Sequence, residues 1–244
     1  MTAPRFYCQD PISGNKTLTL PASVAHHVRV RRLAAGCEIV LFDGRGGEIT
    51  GILDFDGKTA QVMLGAHSQR EVELLGGLTL IQGLPSADKM DWVIEKAVEL
   101  GVRRVIPIAA HRSVLKLTGD RLAKRLSHWQ GIVIAASEQC GRNRLMEVLP
   151  PQSLEQTLAQ KDLGLTLLCD PAAQGDLSAA LQTQPEVLSS GVSFLIGPEG
   201  GWSNEELAVS QRQQVKSVRF GARVLRSETA GLALAAATTA LLGW

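Results

Sequence analysis

The chain has 244 residues, of which 45% are hydrophobic and 20% are charged. This composition excludes a disordered polypeptide, because enough apolar side chains are present to bury a core. The 25 Lys and Arg residues nearly balance the 24 Asp and Glu residues, which leaves a net charge of +1. No apolar run has the length of a membrane span, and the N-terminus shows no secretory signal. We therefore predict a cytoplasmic protein that does not bind a membrane.

Residues 1–72 are predicted to form a small domain rich in β-structure. Runs with strand character alternate with turns that contain glycine, a pattern typical of hairpins. The predicted strands are Glu38–Asp43, Glu48–Leu53 and Thr59–Leu64. A helix over about Ser23–Leu33 is expected before them, and a linker over Glu71–Gly77 follows them.

Residues 73–244 alternate between predicted strands and helices, which is typical of a largely parallel sheet covered by helices. The predicted strands are Leu78–Gln82, Arg104–Ala109, Leu165–Cys169, Val192–Ile196 and about Val215–Phe220. Pro107 has no backbone N–H, so its strand is expected at an edge of the sheet, or Pro107 at a strand end.

Four helices are expected in this second region. They begin at about Ala87, Gly119, Ser203 and Glu228. The first is expected to stop at Gly101, and the second to extend to Cys140 on a continuous apolar stripe. Ser203 and Glu206 form a capping-box pattern, and Ser227 is a predicted N-cap. The C-terminal helix carries almost no charge, so we expect it to be buried, for example against a second subunit.

The four cysteines, at positions 8, 37, 140 and 169, are too widely spaced for a Cys-x-x-Cys pair, and no histidine cluster lies near them. We therefore predict no metal site and interpret the cysteines as small buried hydrophobic residues.

Two glycine-containing segments follow predicted strands. Leu195–Ser203 contains three glycines and a proline, and Phe220–Ala230 is a polar loop that leads into a helix. Ligands bind beyond the carboxyl ends of strands in open α/β sheets, and glycine lets backbone groups approach a ligand closely. The two segments are predicted to form one crevice. The alternative is a tight strand-to-helix connection without a ligand.

A third segment, Ser137–Arg144, combines two arginines with an asparagine around Gly141. Such side chains can hold a phosphate and contact a base edge, and capping of the helix C-terminus is the alternative. The surrounding stretch 103–144 has a net charge of +7. It predicts a site for a polyanion, and a solvated helix face is the alternative.

Together these segments resemble the RsmE family of ribosomal-RNA methyltransferases, within the SPOUT superfamily, and the resemblance covers essentially the whole chain. The matching stretches are His26–Leu33, Leu41–Gly44, Asp88–Met90, Glu95–Gly101, Glu138–Arg144, Leu195–Gly201 and Val224–Ala230. Ser227 departs from the family pattern, in which many relatives have threonine. The resemblance implies an N-terminal PUA-like β-barrel that binds RNA (1–72), a C-terminal SPOUT α/β domain with a trefoil knot (73–244), and a homodimer.

The resemblance further implies an S-adenosylmethionine-dependent enzyme that methylates N3 of uridine 1498 in 16S ribosomal RNA, with the RNA or the small ribosomal subunit as partner. It implies that the cofactor, S-adenosyl-L-methionine, is bound by Leu168, Ile196, Gly197, Pro198, Glu199, Gly200, Gly201, Phe220, Gly221, Val224, Leu225, Arg226, Glu228, Thr229 and Ala230. Two alternatives are a SPOUT enzyme with another RNA target and a non-catalytic RNA-binding factor for ribosome assembly.

Uridine N3 must lose its proton to become nucleophilic, and a nearby cation would stabilise the developing anion. The predicted catalytic residues are Arg142, Asn143, Arg144 and Arg226, with Glu138 as the candidate proton acceptor. The predicted RNA-binding residues are Arg29, Arg31, Arg32, Arg112 and Lys116, which would contact phosphates.

Overall fold

The computed structural model describes residues 3–14, 16–86, 88–182 and 187–244, the last range without the side chains of Val187 and Leu188. The chain forms two compact units. Unit 1 comprises Met1–Glu73 and Ile134–Leu145, and unit 2 comprises Leu74–Val133 and Met146–Trp244.

Unit 1 contains one sheet and one complete helix among its described residues. Its elements are β1 (Arg5–Tyr7), β2 (Thr17–Thr19), α1 (Ala22–Val30), β3 (Glu38–Phe42), β4 (Glu48–Asp56) and β5 (Thr59–Ser68). The strand order is β1-β3-β4-β5-β2, with β1 parallel to β3 and the other neighbours antiparallel. The buried side of α1, formed by Val24, Ala25 and Val28, packs into the core of the sheet.

The three strands predicted in this region are confirmed, and two of them extend beyond the predicted ends, to Asp56 and Ser68. The helix ends at Val30 instead of about Leu33, because Arg32 adopts a positive φ of 54° that cannot continue a helix. The sequence did not predict β1 and β2, which have three residues each and are too short to show a period of two.

Unit 2 is built on a six-stranded sheet. Its strands are β6 (Leu78–Gly83), β7 (Arg104–Ile108), β8 (Glu147–Val148), β9 (Leu165–Cys169), β10 (Val192–Ile196) and β11 (Lys216–Val218). Its helices are α2 (Lys89–Glu99), α4 (Leu154–Leu158), α5 (Leu177–Gln182), α6 (Val187–Ser190), α7 (Asn204–Arg212) and α8 (Ser227–Leu242), and α3 (Gly119–Cys140) continues from unit 2 into unit 1. The strand order is β11-β9-β10-β6-β7-β8 and every pairing is parallel, as predicted.

The predicted helices of this region are confirmed, with shifts at their ends. The start expected at about Ala87 lies outside the described residues, and α2 runs from Lys89. Gly101 ends α2 with a φ of +78°, and Gly141 follows α3 with a φ of +88°. Glycine adopts this left-handed conformation at little cost, which explains why both helices stop there.

The prediction that Pro107 marks an edge strand is wrong, and the alternative of a strand end is confirmed. Strand β7 has neighbours on both sides, β6 and the two-residue β8. Pro107 is its penultimate residue, and its carbonyl accepts a hydrogen bond from the Gln152 N–H, on the side of β8. The proline is tolerated there because the ladder with β8 ends at Val105.

The C-terminal helix is buried along one side only. Leu234 and Ala235 are fully buried, whereas the Leu241 side chain is 52% exposed. Of the four free cysteines, Cys8 is buried and Cys37, Cys140 and Cys169 are partly buried. Within the described residues, no helix is both long and apolar enough to cross a membrane.

Candidate functional site

The carboxyl ends of three neighbouring strands meet at one edge of the unit 2 sheet. Because β11, β9 and β10 are adjacent and parallel, the loops that follow them leave the sheet on the same side. A cavity of about 310 Å³ lies between these loops. Its volume is at the lower end of the range typical of small-molecule sites.

The cavity has mainly apolar walls with a few polar groups at its margin. Its lining residues are Leu168, Cys169, Asp170, Pro171, Ile196, Gly197, Pro198, Glu199, Gly201, Trp202, Leu207, Phe220, Arg223, Val224, Leu225, Ser227 and Ala230. Burial raises the pKa of the Cys169 thiol to about 11, so this thiol is protonated at neutral pH and is a poor nucleophile.

Ser227 joins the loop after β10 to the end of β6. Its hydroxyl donates to the Gly197 carbonyl at 2.6 Å and accepts from Gln82 Nε2 at 2.9 Å. The prediction that Ser227 is an N-cap is therefore wrong: the N-cap of α8 is Arg226, and no side chain caps the helix. The Ser227 hydroxyl is committed to the contact with Gly197, so it is not available to the first turn of its own helix.

Glu199 anchors the same loop to the start of α2. Its Oε1 accepts hydrogen bonds from the Ser86 N–H at 3.0 Å, the Ser86 hydroxyl at 2.8 Å and Lys89 Nζ at 3.0 Å. Although desolvation opposes ionisation, these hydrogen bonds lower the pKa of Glu199 to about 2. Glu199 is therefore an anion at neutral pH and cannot act as a general acid there.

Close backbone approach fixes the position of Pro198. A Cβ at Gly83, the last residue of β6, would lie 2.5 Å from Pro198 Cδ and 2.6 Å from Pro198 N. The backbone of Gly200 is likewise close to Arg112, whose guanidinium donates to the Gly200 carbonyl at 3.0 Å. Glycine at these two positions allows the loop after β10 to pack against its neighbours.

The predicted capping box at the start of α7 is confirmed, and it has a further partner. Ser203 and Glu206 exchange the two expected hydrogen bonds. The second carboxylate oxygen of Glu206 accepts from the His111 N–H at 3.0 Å, and His111 Nδ1 shares a hydrogen bond with the Ser203 hydroxyl at 3.1 Å. This network attaches the loop after β7 to the helix that closes one side of the cavity.

Ten of the residues expected to bind a cofactor line the cavity. They are Leu168, Ile196, Gly197, Pro198, Glu199, Gly201, Phe220, Val224, Leu225 and Ala230. The other five, which are in the same loops or at the start of α8, do not line it: Gly200, Gly221, Arg226, Glu228 and Thr229.

The residues Glu138, Arg142 and Asn143 are engaged inside unit 1. Arg142 is 3% exposed. Its guanidinium forms a bidentate ion pair with the Glu73 carboxylate, with Nε–Oε1 and Nη2–Oε2 distances of 2.9 and 2.6 Å. Glu138 accepts a hydrogen bond from the Tyr7 N–H at 3.0 Å. Glu138 thus attaches the end of α3 to β1, and Arg142 attaches the chain after α3 to Glu73 at the end of the first segment of unit 1.

Asn143 belongs to a hydrogen-bonded cluster around Glu48. It is fully buried, donates to Glu48 Oε2 at 3.2 Å and accepts from Arg5, which also pairs with Glu48 at 2.6 Å. Although desolvation opposes ionisation, the hydrogen bonds from Arg5 and Asn143 lower the pKa of Glu48. The cluster therefore holds a carboxylate in its ionised form.

The other two residues predicted to be catalytic, Arg144 and Arg226, lie at the surface. Arg144 is 56% exposed in its side chain, with a 3.4 Å contact to Glu71, and Arg226 is exposed beside two residues that line the cavity. All five residues predicted to bind RNA are also exposed: Arg29, Arg31, Arg32, Arg112 and Lys116. The first three are at or just after the C-terminal end of α1.

The list of predicted cofactor-binding residues missed seven residues that line the cavity: Cys169, Asp170, Pro171, Trp202, Leu207, Arg223 and Ser227. Trp202 and Arg223 are within the two glycine-containing segments, so their position in the sequence could have identified them as cavity residues. Leu207 points from α7, and only the packing of that helix brings it to the cavity. Among the described residues, no three His, Cys, Asp or Glu side chains are grouped so that they could hold a metal ion.

Comparison with known proteins identifies both regions of the chain. Residues 73–239 match the family model of an RNA methyltransferase domain, and residues 20–62 match that of an RNA methyltransferase PUA domain. These matches define the class: an RNA methyltransferase with an N-terminal PUA domain.

Individual relatives identify the family within this class. The chain is 32% identical over 225 residues to ribosomal RNA small subunit methyltransferase E of Bacillus subtilis, covering 88% of this chain and 87% of that protein. The same enzyme of Neisseria gonorrhoeae, solved with bound S-adenosyl methionine, is 34% identical, with a TM-score of 0.88 over 98% of both chains. A putative methyltransferase of Legionella pneumophila, solved with the same cofactor, is 29% identical, with a TM-score of 0.90 over 98% of both chains. The chain belongs to the ribosomal RNA small subunit methyltransferase E family, and the resemblance to the RsmE family is confirmed.

Proposed function

We propose that this protein transfers the methyl group of S-adenosylmethionine to N3 of uridine 1498 in 16S ribosomal RNA. The observation that carries the proposal is the convergence of the loops after β9, β10 and β11 on one cavity of about 310 Å³. Family membership supports the same reaction, because the relatives are named as small-subunit RNA methyltransferases and one of them binds S-adenosyl methionine.

The cavity suits the proposed cofactor. Apolar walls from Leu168, Ile196, Val224 and Leu225 offer a surface for an adenine ring, and glycine backbone groups are available to its polar edge. Asp170 lies at the same cavity and offers a carboxylate to a hydroxyl or amino group. When bound, S-adenosylmethionine supplies an electrophilic methyl group on its sulfonium.

In our proposal, the loops hold the cofactor through apolar and backbone contacts, and two polar side chains hold one of the loops in place. Apolar side chains exclude water from the adenine, and the backbone of Gly197, which lines the cavity, contributes hydrogen bonds. Glu199 and Ser227 act indirectly, because they fix the loop after β10 to Ser86 and Gln82. Such a rigid frame lowers the entropy cost of aligning the two reactants.

The chain's cations would stabilise the anion that develops when uridine N3 loses its proton. Arg226 is our first candidate, since it is exposed and flanked by the cavity residues Leu225 and Ser227. Arg144 is the second, because its side chain is also exposed. A direct catalytic contribution from Glu138, Arg142 or Asn143 stays a prediction, and in this chain all three are engaged by partners in unit 1.

We further propose that the enzyme acts in the cytoplasm as a homodimer. Exposed apolar side chains on two helices that pack together, Trp92 on α2 and Leu241 on α8, support a contact with a second copy. The exposed basic residues at the end of α1 support binding of RNA to unit 1.

Methyl mapping tests the proposed reaction. The purified protein, S-adenosylmethionine and small ribosomal subunits lacking the modification are incubated, and the RNA is analysed by primer extension and mass spectrometry. We expect one methyl group at uridine 1498 and a strong stop to primer extension there, because N3 lies on the base-pairing edge. A methyl group on another base or on a ribose would contradict the proposal, as would the absence of transfer.

Substitution of Arg226 tests the role of the cation. We expect Arg226→Ala to lower kcat by about 100-fold, the loss typical when a group that stabilises developing charge is removed. Arg212→Ala, which removes an exposed arginine from α7 outside the cavity, is the matched control and is expected to retain normal kcat. Near-normal turnover of both Arg226→Ala and Arg144→Ala would exclude the assignment.

A further inference from the structure

The basic side chains of stretch 103–144 differ in the contacts that they make. Five of its nine basic side chains contact a carboxylate or carbonyl oxygen: Arg104 (Asp162), Arg112 (Gly200), Arg125 (Asp91), Arg142 (Glu73) and Arg144 (Glu71). Among the described residues, the other four form no ion pair: Arg103, Lys116, Arg121 and Lys124. Three of these four, Lys116, Arg121 and Lys124, line the same part of the surface of unit 2.

That place is a surface pocket of about 380 Å³ beside the N-terminal half of α3. It is lined by Leu115, Lys116, Leu117, Arg121, Lys124, Arg125 and His128, and we call it the α3 basic pocket. Its walls are cationic, and the two leucines, which are partly buried, provide an apolar surface.

Asp91 contacts two of the residues that line this pocket, Arg125 and His128. Its oxygens bind His128 Nε2 at 2.7 Å, Trp129 Nε1 at 2.9 Å and Arg125 Nη1 at 3.4 Å. Asp120, in the first turn of α3, forms no ion pair with the described cations. Lys116, Arg121 and Lys124 therefore line the pocket, and none of them forms an ion pair with a described carboxylate.

We propose that the α3 basic pocket binds the phosphodiester backbone of the substrate RNA. Like charges held close together repel one another, and an anion that bridges them relieves that repulsion. A polyanion with charges at regular spacing matches three cations spread along a loop and a helix, and the apolar surface can accept a ribose. The N-terminus of α3 adds a favourable partial positive charge. This inference rests on the proposed function and adds a site for the substrate's backbone.

The salt dependence of RNA binding tests the proposal. A 16S fragment that contains the target uridine is titrated with the full-length protein over a range of salt concentrations. The variant combines Lys116→Ala, Arg121→Ala and Lys124→Ala. The control combines Lys161→Ala, Arg212→Ala and Lys216→Ala, which removes three exposed cations elsewhere in unit 2.

We expect the pocket variant to bind RNA more weakly and with a shallower salt dependence. Each lost contact to a single-stranded phosphate reduces the log–log slope by about 0.7, so three contacts reduce it by about 2. The KM for RNA should rise at least tenfold. Affinity for S-adenosylmethionine should be unchanged, and the control should behave as the wild type in all three measurements.

Equal slopes for the pocket variant, the control and the wild type would overturn the proposal. A loss of affinity for assembled subunits with none for naked RNA would also overturn it, because the pocket would then bind an acidic protein segment. If the triple variant does not fold, Lys124→Glu is compared with Lys216→Glu, and equal affinities would overturn it. Failure of the proposed function is distinguishable, because the wild type would then bind RNA without methylating uridine 1498.

Discussion

The Ser227 hydroxyl occupies a position where sequence and structure assign different roles. It follows a loop and opens a helix, a context that favours capping. In the structure, the hydroxyl donates to Gly197 and accepts from Gln82, which is fully buried. A serine hydroxyl can take several orientations, so its hydrogen-bond partner depends on which polar groups the fold brings close to it.

Removing this hydroxyl should destabilise unit 2. We expect Ser227→Ala to lower the free energy of unfolding by about 1–3 kcal/mol, because a carbonyl and a buried amide each lose a partner. Affinity for S-adenosylmethionine should fall too, since Gly197 lines the cavity. Thermal unfolding and calorimetry measure the two effects.

Ser217→Ala is the matched control, because Ser217 is an exposed residue of β11. It should leave both quantities unchanged. If Ser227→Ala and Ser217→Ala have the same stability and affinity, the contact of Ser227 with Gly197 does not position the loop.

At the scale of elements, the end of β6 limits where the loop after β10 can lie. Gly83 has an ordinary backbone conformation, so its importance is steric: the missing side chain makes room for Pro198. Sequence alone shows a glycine at the end of a strand and does not reveal which backbone approaches it.

We expect Gly83→Ala to destabilise the protein by about 1–3 kcal/mol, the usual cost of forcing extra atoms into a packed region. The new methyl group should displace Pro198 and weaken cofactor binding. Gly77→Ala, just before the start of β6, is the control, because its Cβ would have 3.9 Å to the nearest atom. Chemical denaturation and calorimetry measure both. Unaltered binding by Gly83→Ala would show that the loop tolerates displacement.

Long elements with a strong pattern were predicted best. The helix over Gly119–Cys140 has an apolar stripe that runs from Leu122 to Cys140, and the structure gives the predicted bounds of the helix. The short elements β8, α4, α5 and α6 were not predicted, because two to six residues contain too little periodicity. Local patterns therefore specify elements in proportion to their length.

In the unit 2 sheet, the strands lie in a different order in space from their order along the chain. The strand β10 pairs with β6, although more than 100 residues separate them, and β9 lies between β10 and β11. This order brings the loop after β9 to the cavity together with the two glycine-containing loops. Residues 134–145 belong to unit 1, so Ser137–Arg144 and the cavity loops belong to different units. The predicted domain boundary at 72/73 and the predicted knot stay predictions.

The sequence by itself determined the α/β class, the parallel sheet, the long helices and the family, because these depend on local periodicity and on motifs of fixed spacing. Only the tertiary structure decided that Ser227 bonds to Gly197, that Arg142 pairs with Glu73, and that Lys116, Arg121 and Lys124 share one pocket. The physical reason is that hydrogen bonds and ion pairs form between atoms that meet in space. Which atoms meet depends on the strand order and helix packing of the complete fold.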